Sequence, residues 1–137
     1  MLPQILVVVS ATIIFVLGLL HLLYTFRGRR LHPRDPALES QMKTVSPVIS
    51  RETTMWKAWV GFNASHSYGA LLFGAIYGYL ALRAPQFLFQ SIFLTGLGLA
   101  FLLGYVILGK LYWFSVPLRG IVVATICYLA ALIARLF

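Results

Sequence analysis

From Ile5 to Phe26 the chain carries no charged residue at all. As a helix, at about 1.5 Å per residue, a run of that length matches a hydrocarbon core of about 30 Å. Three more stretches low in charge follow. The expected spans are Pro3 to Phe26, Thr53 to Leu82, Gln86 to Leu111, and from residue 116 to Arg135. In lipid every backbone N–H and C=O must find its partner within the protein, which leaves helices as the natural form for such runs. The expectation is an all-α, four-transmembrane-helix bundle forming one integral membrane domain over residues 1–137.

Composition supports this. Of 137 residues, 61% are hydrophobic and 10% charged. Soluble domains average about 45–50% apolar and about 25% charged residues. The first run lacks a basic n-region and an A-x-A type site, and it is longer than the roughly 7–15 residues of a signal h-region. It reads as a retained first span. The formal charge of +8 sits at helix ends and in one loop, with no basic groove interleaved with aromatics. That argues for membrane orientation and headgroup contact rather than nucleic acid. The one cysteine, Cys127, excludes an internal disulfide and lies in an apolar run.

The polar segment 27–50 has a pattern of its own. Asp35 is placed to cap a helix with Pro36 in its first turn. Leu38, Met42 and Val45 then share one face, and Glu39 and Lys43 pair on the other. This predicts a short amphipathic helix on the membrane surface, broken at Ser46-Pro47. His32, beside Pro33, reads as a solvated loop residue. Ser50 is the expected cap of the second span, with Glu52 in its first turn. If the N-terminus faces out, Arg27, Arg29, Arg30, Arg34, Lys43, Arg51, Lys57, Lys110 and Arg119 lie inside, and Arg83 and Arg135 outside. The positive-inside rule favours that orientation, with both termini outside and loop 27–52 in the cytoplasm.

Small residues recur at four-residue spacing in two spans: Ala70, Gly74 and Gly78 in the second, Gly96, Ala100 and Gly104 in the third. Such stripes let helices approach closely in lipid. They predict contact between spans two and three, or contact with another subunit.

One band is unusually polar for a span. Asn63, His66 and Ser67 fall at i, i+3, i+4, and His21 and Thr25 lie one turn apart in span one. Unpaired polar groups are costly in hydrocarbon, so this face is expected to point into the bundle. With Tyr105 and Arg119 these residues form a candidate ligand pocket: His21, Asn63, His66, Ser67, Tyr105 and Arg119. Two intramembrane histidines raise the possibility of haem, but their depths differ by about 5 Å and no C-x-x-C-H is present. A metal site lacks acidic or thiolate partners. Catalysis lacks an intramembrane carboxylate and any nucleophile–base motif. Hydrogen-bonded glue between helices is the plainest role for this band.

The run 51–67 (RETTMWKAWVGFNASHS), with His21-Leu22-Leu23-Tyr24-Thr25-Phe26 and Tyr112-Trp113-Phe114-Ser115-Val116-Pro117, resembles a family of small bacterial four-helix membrane proteins to which no activity is attached. The resemblance covers nearly the whole chain. It implies the four-helix fold and a bacterial inner-membrane setting, and it carries no site residue. The motifs of membrane glutathione transferases, quinone-reducing four-helix subunits and c-type cytochromes are not found. The resulting expectation is a structural or accessory membrane subunit, in a homo-oligomer or with other membrane subunits. The alternative is a binder of a small hydrophobic ligand (quinone, lipid or haem) in a pocket around His66.

Overall fold

A computed structural model describes residues 1–136. They form α1 (Leu2–Phe26), α2 (Pro36–Thr44), α3 (Met55–Arg83), α4 (Pro85–Gln90), α5 (Ile92–Tyr112) and α6 (Ser115–Ala134), with no strand among the described residues. Three helices, α1, α5 and α6, are long and apolar enough to cross a membrane, not four. Only 28%, 22% and 28% of their most apolar stretches is buried by the protein itself, so most of their surface needs an apolar solvent. These helices mark a membrane protein. The 29-residue α3 is less apolar because its first half carries Asn63, Ser65, His66 and Ser67.

Two boundaries differ from expectation. The third span is not one helix from residue 86: Ser91 takes an extended conformation between α4 and α5 (φ −84°, ψ 104°), and its Oγ accepts from Leu94 N at 3.2 Å. Ser91 competes with the helix ladder and wins as a cap, a habit of short hydroxyl side chains. What remains, the 21 residues of α5, still reaches about 31 Å. The cap of α3 is Thr54, not Ser50. Lys57 N donates to Thr54 Oγ1 at 3.3 Å, whereas Ser50 Oγ accepts from Glu52 N at 3.2 Å in a turn ahead of the helix. Glu52 therefore precedes the first turn of α3. The amphipathic helix forms as the caps require: Asp35 Oδ1 accepts from Ala37 N at 2.8 Å, with Pro36 at the first position.

The chain divides into two compact units: Met1–Leu17 with the residues from Ala70 onward, and Gly18–Gly69. In the first, each long helix turns one stripe inward. Val7, Ala11 and Ile14 come from α1, Ala70, Phe73, Tyr77 and Ala81 from α3, Leu102 from α5, and Ile121, Ala124, Tyr128 and Ala131 from α6. The intervals of three and four residues are those of one helix face. Phe73 stacks on Phe101 with ring centroids 4.6 Å apart, and Tyr77 meets Tyr128 edge-on at 5.9 Å. Both phenols are satisfied by α5 carbonyls, Tyr77 Oη donating to Leu94 O at 2.7 Å and Tyr128 Oη to Thr95 O at 3.2 Å.

The close approaches are not where four-residue spacing placed them. A Cβ on Gly74 would lie 2.5 Å from Phe15 Cβ and 2.7 Å from Ala11 O, so this glycine serves contact with α1. On α5 the most crowded glycine is Gly98, beneath the Tyr77 and Tyr128 rings, with Gly109 close to Leu118, while Gly96 and Gly104 look onto open space. Two residues turn a helix by about 200°, so Gly96 and Gly98 serve opposite faces. The tyrosines decide which glycine is used, because their rings need the room a missing Cβ leaves.

In the second unit, Gly28 (φ 83°) ends α1 in the left-handed region that favours glycine. The following loop is tied to the start of α3. Trp59 Nε1 donates to Leu31 O at 3.0 Å, Met55 N donates to Val45 O at 2.8 Å, and His32 meets the Trp56 ring edge-on at 4.7 Å.

Candidate functional site

The polar band assembles within the second unit. Near its C-terminal end α1 carries His21, and the first half of α3 carries Asn63, His66 and Ser67 on one face. Asn63 Nδ2 donates to Trp59 O at 2.8 Å, which leaves Oδ1 to accept. His21 Nε2 lies 2.9 Å from that oxygen and so is the protonated ring nitrogen. The His66 ring meets the His21 ring edge to face, centroids 5.3 Å apart at 85°. Ser67 is fully buried, and its hydroxyl donates to Asn63 O at 2.9 Å. Thr25 Oγ1 donates to His21 O at 2.8 Å.

Four sequence candidates thus meet: His21, Asn63, His66 and Ser67. The other two belong to the first unit. Tyr105 is half-buried on α5, stacked on Phe101 at 4.3 Å and edge-on to Trp113 at 5.7 Å. Arg119 is exposed on α6.

Chemically, this cluster binds its own helices. The two hydroxyls close onto backbone carbonyls four residues back, and the Asn63 amide is used at both ends. His21 and His66 do not bracket a porphyrin: Nε2 of His21 is taken by Asn63, and the edge-to-face contact leaves no gap for a macrocycle between the rings. Among the described residues no group of three or more His, Cys, Asp or Glu side chains is placed to hold a metal ion.

A second cluster in the same unit was not visible as such in the sequence. Glu39 turns inward from α2 and is only 9% exposed. Its Oε1 accepts from Lys43 Nζ at 2.6 Å, its Oε2 from His32 Nδ1 at 3.2 Å, and the Arg29 guanidinium stands 3.6 Å from Oε2. The hydrogen bond from Lys43, then that from His32, holds the Glu39 carboxyl down at about 2. Lys43 also lies 5.4 Å from the centre of the Trp56 ring. His32, expected in solvent, is instead wedged between Glu39 and Trp56. The i, i+4 spacing showed the Glu39–Lys43 pair. The fold of loop 27–35 brings Arg29 and His32 to it. The one available signal was that Glu39 is the only carboxylate within α2, with basic groups on either side in sequence.

Comparison with family models, with characterised proteins and with solved structures finds no match to this chain.

Proposed function

We infer that the protein is a four-span accessory or structural subunit of a bacterial inner-membrane assembly, formed with copies of itself or with other membrane subunits. In this reading α3 is the additional span. Its low hydropathy comes from side chains that spend their hydrogen bonds inside the protein: Asn63 on His21 and Trp59 O, Ser65 on Phe62 O, Ser67 on Asn63 O. Groups satisfied in this way cost far less in lipid than their transfer values suggest. Both termini lie outside and loop 27–52 is cytoplasmic, following the distribution of basic residues.

The observation that carries the subunit reading is the bare stripe of α5. Gly96 and Gly104 have nothing within 4 Å of a Cβ position, and Ala100 between them is exposed. A stripe of small residues unused within the chain suits the approach of a helix from another chain. The test is native mass spectrometry of the protein extracted gently from its membrane. A defined homo-oligomer or a second polypeptide is expected, and Ala100→Leu should abolish it. A single chain whose mass distribution is unchanged by Ala100→Leu refutes the reading.

The contact of His21 with His66 favours one other reading, a pocket for a small hydrophobic ligand such as a quinone or lipid. It requires the bare chain plus a defined small molecule, lost in His66→Ala with assembly intact.

A further inference from the structure

We propose that the Glu39 cluster is a binding site for the phosphate headgroup of an anionic phospholipid, built by α2 and the loop that follows α1. The inference deepens the membrane reading above and rests on it.

Segment 27–52 holds six basic residues (Arg27, Arg29, Arg30, Arg34, Lys43, Arg51) against three acids (Asp35, Glu39, Glu52). A surplus of cations alone would make only a diffuse attraction to a charged surface. The structure adds an arrangement. The inward carboxylate of Glu39 anchors Lys43 and Arg29 side by side, yet their side chains remain 50% and 76% exposed. An ammonium has three N–H donors and a guanidinium five, so each keeps donors to spare after meeting Glu39. Arg29, Lys43 and Ser40 line a shallow cavity of about 200 Å³ with Pro36 and Glu39. Glu39 offsets one of the two permanent charges, and the mouth stays cationic.

The neighbouring surface suits acyl chains. Leu38 on α2 is 48% exposed and Val45, which leaves the helix as its extended C-cap rather than continuing the face of Leu38, is 54% exposed. Beyond them a turn closed by Ser50 N donating to Pro47 O at 3.2 Å holds Val48 and Ile49 out, at 109% and 93% exposure. Such an apolar tip is costly in water and favourable among acyl chains. Arg29 follows the end of α1 by three residues, the depth at which a span leaves hydrocarbon for headgroups. A cationic cavity beside an exposed apolar strip matches an amphiphile with an anionic head.

The test uses the full chain with Trp113→Phe, so that only Trp56 and Trp59 fluoresce, reconstituted in phosphatidylcholine vesicles. A minor fraction of lipid is replaced by brominated phosphatidylglycerol or, in parallel, by brominated phosphatidylcholine, since bromine quenches nearby indoles. Quenching by the anionic lipid beyond its bulk fraction is expected. Arg29→Gln or Lys43→Gln should each cut that excess about fivefold, the share of one cation at a charged surface. Glu39→Gln discriminates: diffuse attraction predicts a larger excess because net charge rises, whereas an anchored site predicts a smaller one, with Arg29 and Lys43 no longer held together. Equal quenching by the two lipids, or a larger excess in Glu39→Gln, overturns the proposal. Loss of the excess on adding millimolar inorganic phosphate also overturns it, in favour of a free phosphate ligand. Absence of quenching by either lipid would instead refute the membrane placement of these tryptophans. Lys43→Arg should retain the excess, which separates loss of the cation from loss of the fold.

Discussion

Gly96 and Gly98 lie on the same helix two residues apart, and the same substitution should be harmful at Gly98 and harmless at Gly96. At Gly98 an added Cβ would stand 2.7 Å from Tyr77 Cε1 and 2.8 Å from Tyr128 Cζ, and closer still to the Tyr128 hydroxyl. These are ring atoms in the packed centre of the first unit, Tyr128 being fully buried, and they cannot swing aside as a flexible chain end would. Overpacking of that kind costs about 1–3 kcal/mol. Pushing Tyr128 off Thr95 O forfeits a hydrogen bond worth about 0.5–1.5 kcal/mol. Gly98→Ala should therefore destabilise by about 1.5–4.5 kcal/mol. Within the single chain Gly96→Ala meets nothing within 4 Å, and in dissociating micelles the gain from replacing a helical glycine should leave the chain neutral or stabilised by up to about 1 kcal/mol. The gap between the two is at least about tenfold in the unfolding equilibrium, since about 1.4 kcal/mol is tenfold. Unfolding of both variants by increasing sodium dodecyl sulfate in mixed micelles, followed by near-ultraviolet circular dichroism, measures it. Equal midpoints would show that α5 does not face the Tyr77–Tyr128 pair with Gly98, and the packing described for the first unit would be wrong.

Other consequences can be checked with the same preparation. Gly28→Ala places a side chain in the left-handed region and should lower stability by about 1–2 kcal/mol, read as a shift in thermal midpoint. Asn63→Ala strips His21 of its partner; intramembrane hydrogen bonds average about 0.6 kcal/mol and reach about 1.7, so a loss in that range is expected, while an Asn63→Ala variant as stable as wild type would mean the bond is not formed. The Glu39 carboxyl is held below its ordinary value of 4.5, so the cluster's contribution is full above pH 4.5 and is lost as pH falls through about 2. Trp56 emission should change across that acid range in wild type, and Glu39→Gln should remove the change.

Much of this protein is legible along the chain. The apolar runs, their lengths and the flanking arginines are local properties, and lipid demands helices from them whatever their neighbours. The helix α2 was legible because Asp35, Pro36 and the i, i+4 pair Glu39–Lys43 act within one turn. The convergence of His21 and His66 was foreshadowed by polar residues sharing faces, since lipid drives such faces inward. The break at Ser91 was harder, because a serine in an apolar run reads equally as a helix residue. Which face of α5 turns inward depended on tyrosines 21 residues before Gly98 and 30 after it, and four-residue spacing says nothing about distant rings. Glu39 likewise became an inward anchor only when the loop carried Arg29 and His32 to it. Sequence alone determined that these runs are helical and roughly how long they are, because helix formation answers to neighbours within a turn and to the solvent. Tertiary structure decided which glycines touch and which charges meet, because those contacts join residues that no local pattern relates.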